Sequence, residues 1–202
     1  MKRNIFGVIG SILGFVSLVL PWWSMDYSSS GTSAALSLYL YQSSYTAGNL
    51  TASLAVVDWF SWTALGLLLA ASVLVLLASL FWENGRIALL GGGVLALLSL
   101  IVFAAGLQIY LSGGALGVFR GIGLFSSGSI NASGYLMKFS TYLTFGFWLS
   151  AVAMLFMLLA WARYSAEEHK EEKPEEPEPP RKPTPPPYVK RPVGKGYPYG
   201  RS

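Results

Sequence analysis

The stretch "LVLPWWSMDYSSSG", residues 18–31, decides how the chain is read. An apolar run ends in Pro21, Trp22 and Trp23 follow, and the chain then turns to Ser and Gly. Lys2 and Arg3 ahead of an apolar segment describe a cleaved secretory leader as well as a retained membrane span. The run from Ile5 to Trp23 exceeds the roughly 7–15 residues of a leader's apolar region. It also ends in bulky aromatics where a signal peptidase needs small side chains. Paired tryptophans suit the membrane–water boundary, where the ring is half apolar and its N–H reaches water. The expectation is a first helix that stays, with Trp22 and Trp23 as its outer anchor.

The rest of the composition points the same way. Of 202 residues, 53% are hydrophobic and only 12% charged, about half the charged share of a soluble domain. The charges are also segregated. Nine of the 14 Lys and Arg and seven of the 10 Asp and Glu lie after residue 162. The apolar remainder reads as an integral membrane protein in a lipid bilayer. The net charge of +4 is split evenly, +2 from residues 1–162 and +2 from the residues after 162. The basic residues have neither a folded groove nor stacking aromatics around them, so no nucleic-acid partner is expected. Cysteine is absent, which excludes disulfides and thiol chemistry.

A helix needs about 20 residues to cross a hydrocarbon core. Four stretches meet that length without a Lys, Arg, Asp, Glu or His: 5–23, 59–82, 87–111 and 141–161. The fold expected is therefore all-α and transmembrane, a four-helix bundle. Both termini inside would put 12 of the 14 basic residues in the cytoplasm, leaving Arg120 and Lys138 outside. The reading is a multi-pass cell-membrane protein with membrane domain 1–164. Trp22, Trp23, Trp59, Trp62, Tyr110 and Tyr142 then mark the outer interface, and Trp82, Trp161 and Tyr164 the inner one. Trp148 lies too deep for either and reads as a packing residue.

Helices in lipid associate through small residues. Gly10 and Gly14, Gly66 and Ala70, Gly92 and Ala96, and Gly146 and Ser150 are each four apart and are expected at helix contacts. The same surfaces could serve a homo-oligomer or the helix of another membrane subunit.

The outer loops fall at about 24–58 and 112–140. Leu36, Leu38 and Leu40 alternate with Ser37, Tyr39 and Tyr41, and Leu50, Ala52, Leu54 and Val56 alternate again after Gly48. Period-two alternation on both sides of a turn predicts a hairpin. "GIGLF" and "GYLMKF" in the second loop supply further extended candidates. A small antiparallel sheet of three or four strands above the membrane is expected. Asp58 suits the N-cap of the second helix. Asn49 and Asn131 begin Asn-X-Ser/Thr sequons, one in each outer loop, and are the glycosylation candidates. The Ser- and Thr-rich loops could also produce such triplets by chance.

From Ser165 the chain changes character. Residues 165–202 hold 10 of the 11 prolines, with an acidic first half and a basic second half. Such a segment cannot bury a core and reads as a disordered cytoplasmic tail. Pro185, Pro186, Pro187 and Tyr188 match a WW-domain ligand pattern and are the candidate docking site for a cytoplasmic partner.

No catalytic set is legible. One histidine and no cysteine leave no triad and no multi-ligand zinc site. No cofactor or metal site is expected. Gln108 is the most polar group within a span, whereas ion paths usually need an intramembrane ionisable residue. The expected role is non-enzymatic: a membrane scaffold or complex subunit that contacts partners through its outer loops and tail. The alternative is one subunit of an oligomeric pore or transporter.

Four spans, a strand-rich first outer loop after a Trp-bearing span end, a shorter second loop and a cytoplasmic tail together resemble the claudin-like tetraspan plan over residues 1–164. The Trp-Gly-Leu-Trp stretch and the paired cysteines of claudins are absent. "LPW" at Leu20–Trp22 and "GFWL" at Gly146–Leu149 are similar to small prokaryotic four-span proteins. The resemblance implies an architecture and no activity.

Overall fold

The computed structural model describes residues 4–29, 32–54, 58–81, 85–113, 122–132 and 135–171. The tail after residue 171, with Pro185 to Tyr188, lies outside them, as does Trp82. Four helices and six strands follow in the order α1 (Ile5–Leu18), β1 (Trp23–Ser29), β2 (Thr32–Leu38), β3 (Ser43–Ala47), β4 (Leu50–Leu54), α2 (Trp59–Phe81), α3 (Arg86–Ser112), β5 (Ser126–Ala132), β6 (Tyr135–Leu143) and α4 (Phe145–Glu171).

The expected all-α four-helix bundle is therefore corrected. One six-stranded antiparallel sheet, ordered β4-β3-β2-β1-β6-β5, forms a second layer of the fold. Three helices, Trp59–Phe81, Arg86–Ser112 and Phe145–Ala166, are long and apolar enough to cross a membrane, with mean hydropathies of 2.6, 2.6 and 2.0. Large apolar side chains such as Val73, Leu77, Leu97, Ile101, Leu155 and Leu159 stand exposed on them. Such surfaces mark a membrane protein. α1 has 14 residues, about 21 Å of helix, less than a hydrocarbon core of about 30 Å.

Proline explains the difference. Pro21 lacks an N–H and fixes its own φ, and the residue before it is pushed out of the helical region. α1 ends at Leu18, and the chain is extended again from Trp23. The fourth helix also starts later than expected. Thr141 to Leu143, expected inside a span, finish β6, and the helix begins at Phe145.

α1 packs against α2 and α4, and α3 packs against the same two helices. Small residues set the approach. Gly7 faces Ser79 and Gly14 faces Ser72 across α1 and α2. Gly10 meets Met157 and Ala153 of α4, and Gly92 meets Val75 and the Ala71 carbonyl of α2. The Ser99 hydroxyl of α3 donates to the Ala64 carbonyl of α2 at 2.7 Å. Ala96 and Ser150 are buried. Gly66 and Ala70 face outward, and nothing lies within 4 Å of a Cβ built at Gly66.

The sheet grows directly from the helices. β1 follows α1 and β6 leads into α4, and these two strands pair from Trp23↔Leu143 to Ser29↔Met137. The two loops thus join into one sheet rather than a local hairpin with additions. Within the first loop, β3 lies between β2 and β4, so the expected direct pairing of the two leucine-alternating segments is replaced by two consecutive turns. One turn closes where the Tyr39 N–H donates to the Gln42 carbonyl at 2.8 Å. The other uses Gly48, whose φ of +57° is a conformation that side chains resist.

Candidate functional site

Period-two geometry gives the sheet two unlike faces. Trp23, Met25, Leu36, Leu38 and Leu143 share one face and pack on the core. Ser24, Asp26, Ser28, Ser33, Ser37, Lys138, Ser140 and Tyr142 share the other. Met25 is 1% exposed, while Asp26 beside it is exposed.

The core face is anchored by Trp22 and Trp23, which correct the interfacial reading. They are 0% and 2% exposed. Trp22 sits edge-on to Phe103 at 4.9 Å and to Phe147 at 5.8 Å, and Phe60 lies 5.9 Å from Phe103. A buried indole needs a partner for its N–H. That of Trp22 donates to the Ser17 carbonyl at 2.9 Å, and that of Trp23 to the Leu124 carbonyl at 3.3 Å. Trp59 and Trp62 are exposed, and Tyr110 is half-buried. Trp148, expected as a packing residue, is 53% exposed.

Residues 122–126 are fixed by two further side chains through three hydrogen bonds. Gln108 of α3 accepts the Leu124 N–H at 3.2 Å. The Thr141 hydroxyl of β6 donates to the Gly123 carbonyl at 2.9 Å and accepts the Ser126 N–H at 2.8 Å. The polar residue singled out within the third span therefore acts as a brace for the second loop.

The outer face holds a hollow of about 580 Å³, lined by Asp26, Ser28, Ser33, Ala35, Thr46, Lys138 and Ser140, with main-chain neighbours. These side chains form two adjoining rows. Asp26 lies opposite Ala35 and Ser140, with Thr46 beyond Ala35. Ser28 lies opposite Ser33 and Lys138. Small residues across the middle strands leave the space, and Ala35 is its floor. The Tyr142 hydroxyl donates to Asp26 Oδ2 at 2.9 Å and holds its ring beside the hollow. Burial, then the Asp26 hydrogen bond and charge, raise the Tyr142 phenol above its ordinary pKa. On the opposite face Tyr27 stacks on Tyr45 at 6.1 Å. Burial, then the hydrogen bond with Tyr45, raises the Tyr27 phenol further.

The sequence-expected sites are scattered relative to this hollow. Asn49 is exposed in the turn after Gly48, and Asn131 is exposed on the edge strand β5. Asp58 precedes α2 and accepts the Trp59 N–H at 3.1 Å. No group of three His, Cys, Asp or Glu side chains comes together among the described residues. The hollow itself was not among the sequence expectations. Its signal is the alternation "MDYS" and "KFSTYL", where polar residues at every second position face outward. No family model matches the chain, and no curated protein matches it.

Proposed function

We propose that the chain is a non-enzymatic membrane scaffold, or a subunit of a membrane complex, which presents its sheet outside the membrane and keeps both termini in the cytoplasm. The observation that carries this reading is the sheet's construction. Both outer loops contribute to it, its apolar face is seated on the helices, and its polar face is left open. A sheet fixed in this way is a rigid platform, which favours presentation of a surface over gating.

Contacts at the other end of the helices support the orientation. Asn4, ahead of α1, donates from Nδ2 to the Ala160 carbonyl of α4 at 2.8 Å, and its N–H reaches the Ser79 carbonyl of α2 at 3.4 Å. The Arg163 guanidinium lies 5.5 Å from the Phe6 ring centroid. This end is next to Lys2 and Arg3 in the chain, and basic residues favour the cytoplasmic side.

Native mass spectrometry in lipid nanodiscs tests the role. Oligomers or a co-purifying membrane chain are expected, and a bare monomer from its native membrane would overturn the scaffold reading. A cysteine at Thr51, exposed on β4, tests the orientation. It should react with an impermeant maleimide added outside intact cells, and reaction only after lysis would reverse it.

A further inference from the structure

We propose that the hollow on the outer face of the sheet is a binding site for a short neutral oligosaccharide. The inference rests on the outward placement of the sheet in the reading above and adds the ligand class.

The lining chemistry selects the ligand. Ser28, Ser33, Thr46 and Ser140 provide hydroxyls that both donate and accept. Asp26 is a pure acceptor and Lys138 a pure donor, in adjoining rows. A ligand that satisfies all of them needs many groups that donate and accept equally, as sugar hydroxyls do. The volume of about 580 Å³ falls within the roughly 300–1,000 Å³ of small-molecule sites. The exposed Tyr142 ring, tethered through its hydroxyl to Asp26, supplies a fixed flat surface at the edge for the C–H face of a sugar ring.

Other ligand classes fit less well. A metal ion needs several oxygen ligands of the carboxylate type, and Asp26 is the only carboxylate among the described lining residues. An anion would meet one ammonium with a carboxylate one row away. A peptide that binds as an added strand needs a free edge. The hollow lies over β1, β2 and β6, each already paired on both sides.

The test uses the full chain in labelled nanodiscs, on a printed array of neutral and acidic di-, tri- and tetrasaccharides with polar peptides as further spots. The best neutral sugar is then titrated in solution by calorimetry. At least one neutral series should bind. Asp26→Asn and Lys138→Met should each weaken it on the order of tenfold or more, the effect of losing a charged hydrogen bond. Ala35→Trp, which fills the floor, should abolish binding. Thr51→Ala, outside the lining, should leave the affinity unchanged and so checks that the sheet is intact. Binding to no sugar would overturn the proposal. So would binding only to acidic sugars or peptides, or binding indifferent to Asp26 and Lys138. Nanodiscs expose both faces of the membrane, so a wrong orientation cannot produce a negative array. A chain that assembles without binding sugar sinks this site alone, and a sugar-binding monomer sinks the scaffold reading alone.

Discussion

A Cβ built on Gly146 would stand 2.5 Å from Cδ1 of Trp22, so the second residue of α4 has room for hydrogen and nothing larger. The same Cβ would lie 2.6 Å from the Pro21 carbonyl oxygen and 2.8 Å from that of Leu20. The Gly146 N–H donates to the Pro21 carbonyl at 2.9 Å, and the Thr144 N–H donates to the Trp22 carbonyl at 3.1 Å. The end of α1 and the start of α4 are thereby locked together beneath the sheet.

Gly146→Ala should destabilise the protein by about 3 kcal/mol, at the upper end of ordinary overpacking, because two of the obstructing atoms are backbone. Gly66→Ala should instead be neutral or stabilise by up to about 1 kcal/mol, since its site is open and alanine favours the helix. Thermal unfolding in detergent, followed by tryptophan emission, compares the two. Equal behaviour would mean that the Trp22 contact is not tight.

Met25→Asp should open the sheet while Thr51→Asp should not. Met25 is on the core face, and an unpaired carboxylate there costs several kcal/mol. Thr51 is exposed on the edge strand, where a substitution stays within about 0.5 kcal/mol. Limited proteolysis of the outer region reads the difference, and similar cleavage of both variants would contradict the assignment of faces.

The helical share of the fold is legible in the sequence wherever the apolar run is long and uninterrupted, as in α2 and α3. The position of Trp22 is not. "PWW" after an apolar run reads the same at an interface as in a core, and the difference lies in the absent side chain of Gly146, 124 residues later. The strands divide similarly. β6 announces itself through "GYLMKF", whereas β1, β3 and β5 are rich in Ser, Thr or Gly and read as loop. Hydroxyl residues on an outward face mimic the composition of a turn, which hides both those strands and the hollow they build.

Gln108→Leu should loosen residues 122–126 without unfolding the helices. It removes the acceptor of the Leu124 N–H, worth about 1 kcal/mol, while the Thr141 contacts remain. Faster amide hydrogen exchange at Leu124, with unchanged exchange in α2, is the expected result. Unchanged exchange at Leu124 would show that the brace lies elsewhere.

Alkali should weaken the sheet. The folded state keeps the protons of Tyr142 and Tyr27 above the ordinary phenol value of 10.0, where the unfolded chain has released them. The stabilisation is therefore complete below about pH 10 and falls as pH rises towards the raised folded values. Tyrosinate absorbance should show late-titrating phenols, and Tyr142→Phe should reduce the alkaline loss of stability. A titration in which every tyrosine behaves as in a peptide would contradict this.

The pairing of Trp23 with Leu143 also has a consequence in time. These partners are 120 residues apart in the chain, so at the usual pace of synthesis β1 waits on the order of ten seconds for β6 to emerge. During that interval two helices long and apolar enough to cross a membrane, α2 and α3, are made, and β1 to β4 stand with an unpaired inner edge. Such an edge invites pairing with a neighbouring nascent chain. Its outward phase of Ser24, Asp26 and Ser28 keeps the waiting strand hydrated on that side. The polar phase thus keeps that face of the half-made sheet free of apolar side chains while its inner edge is still open.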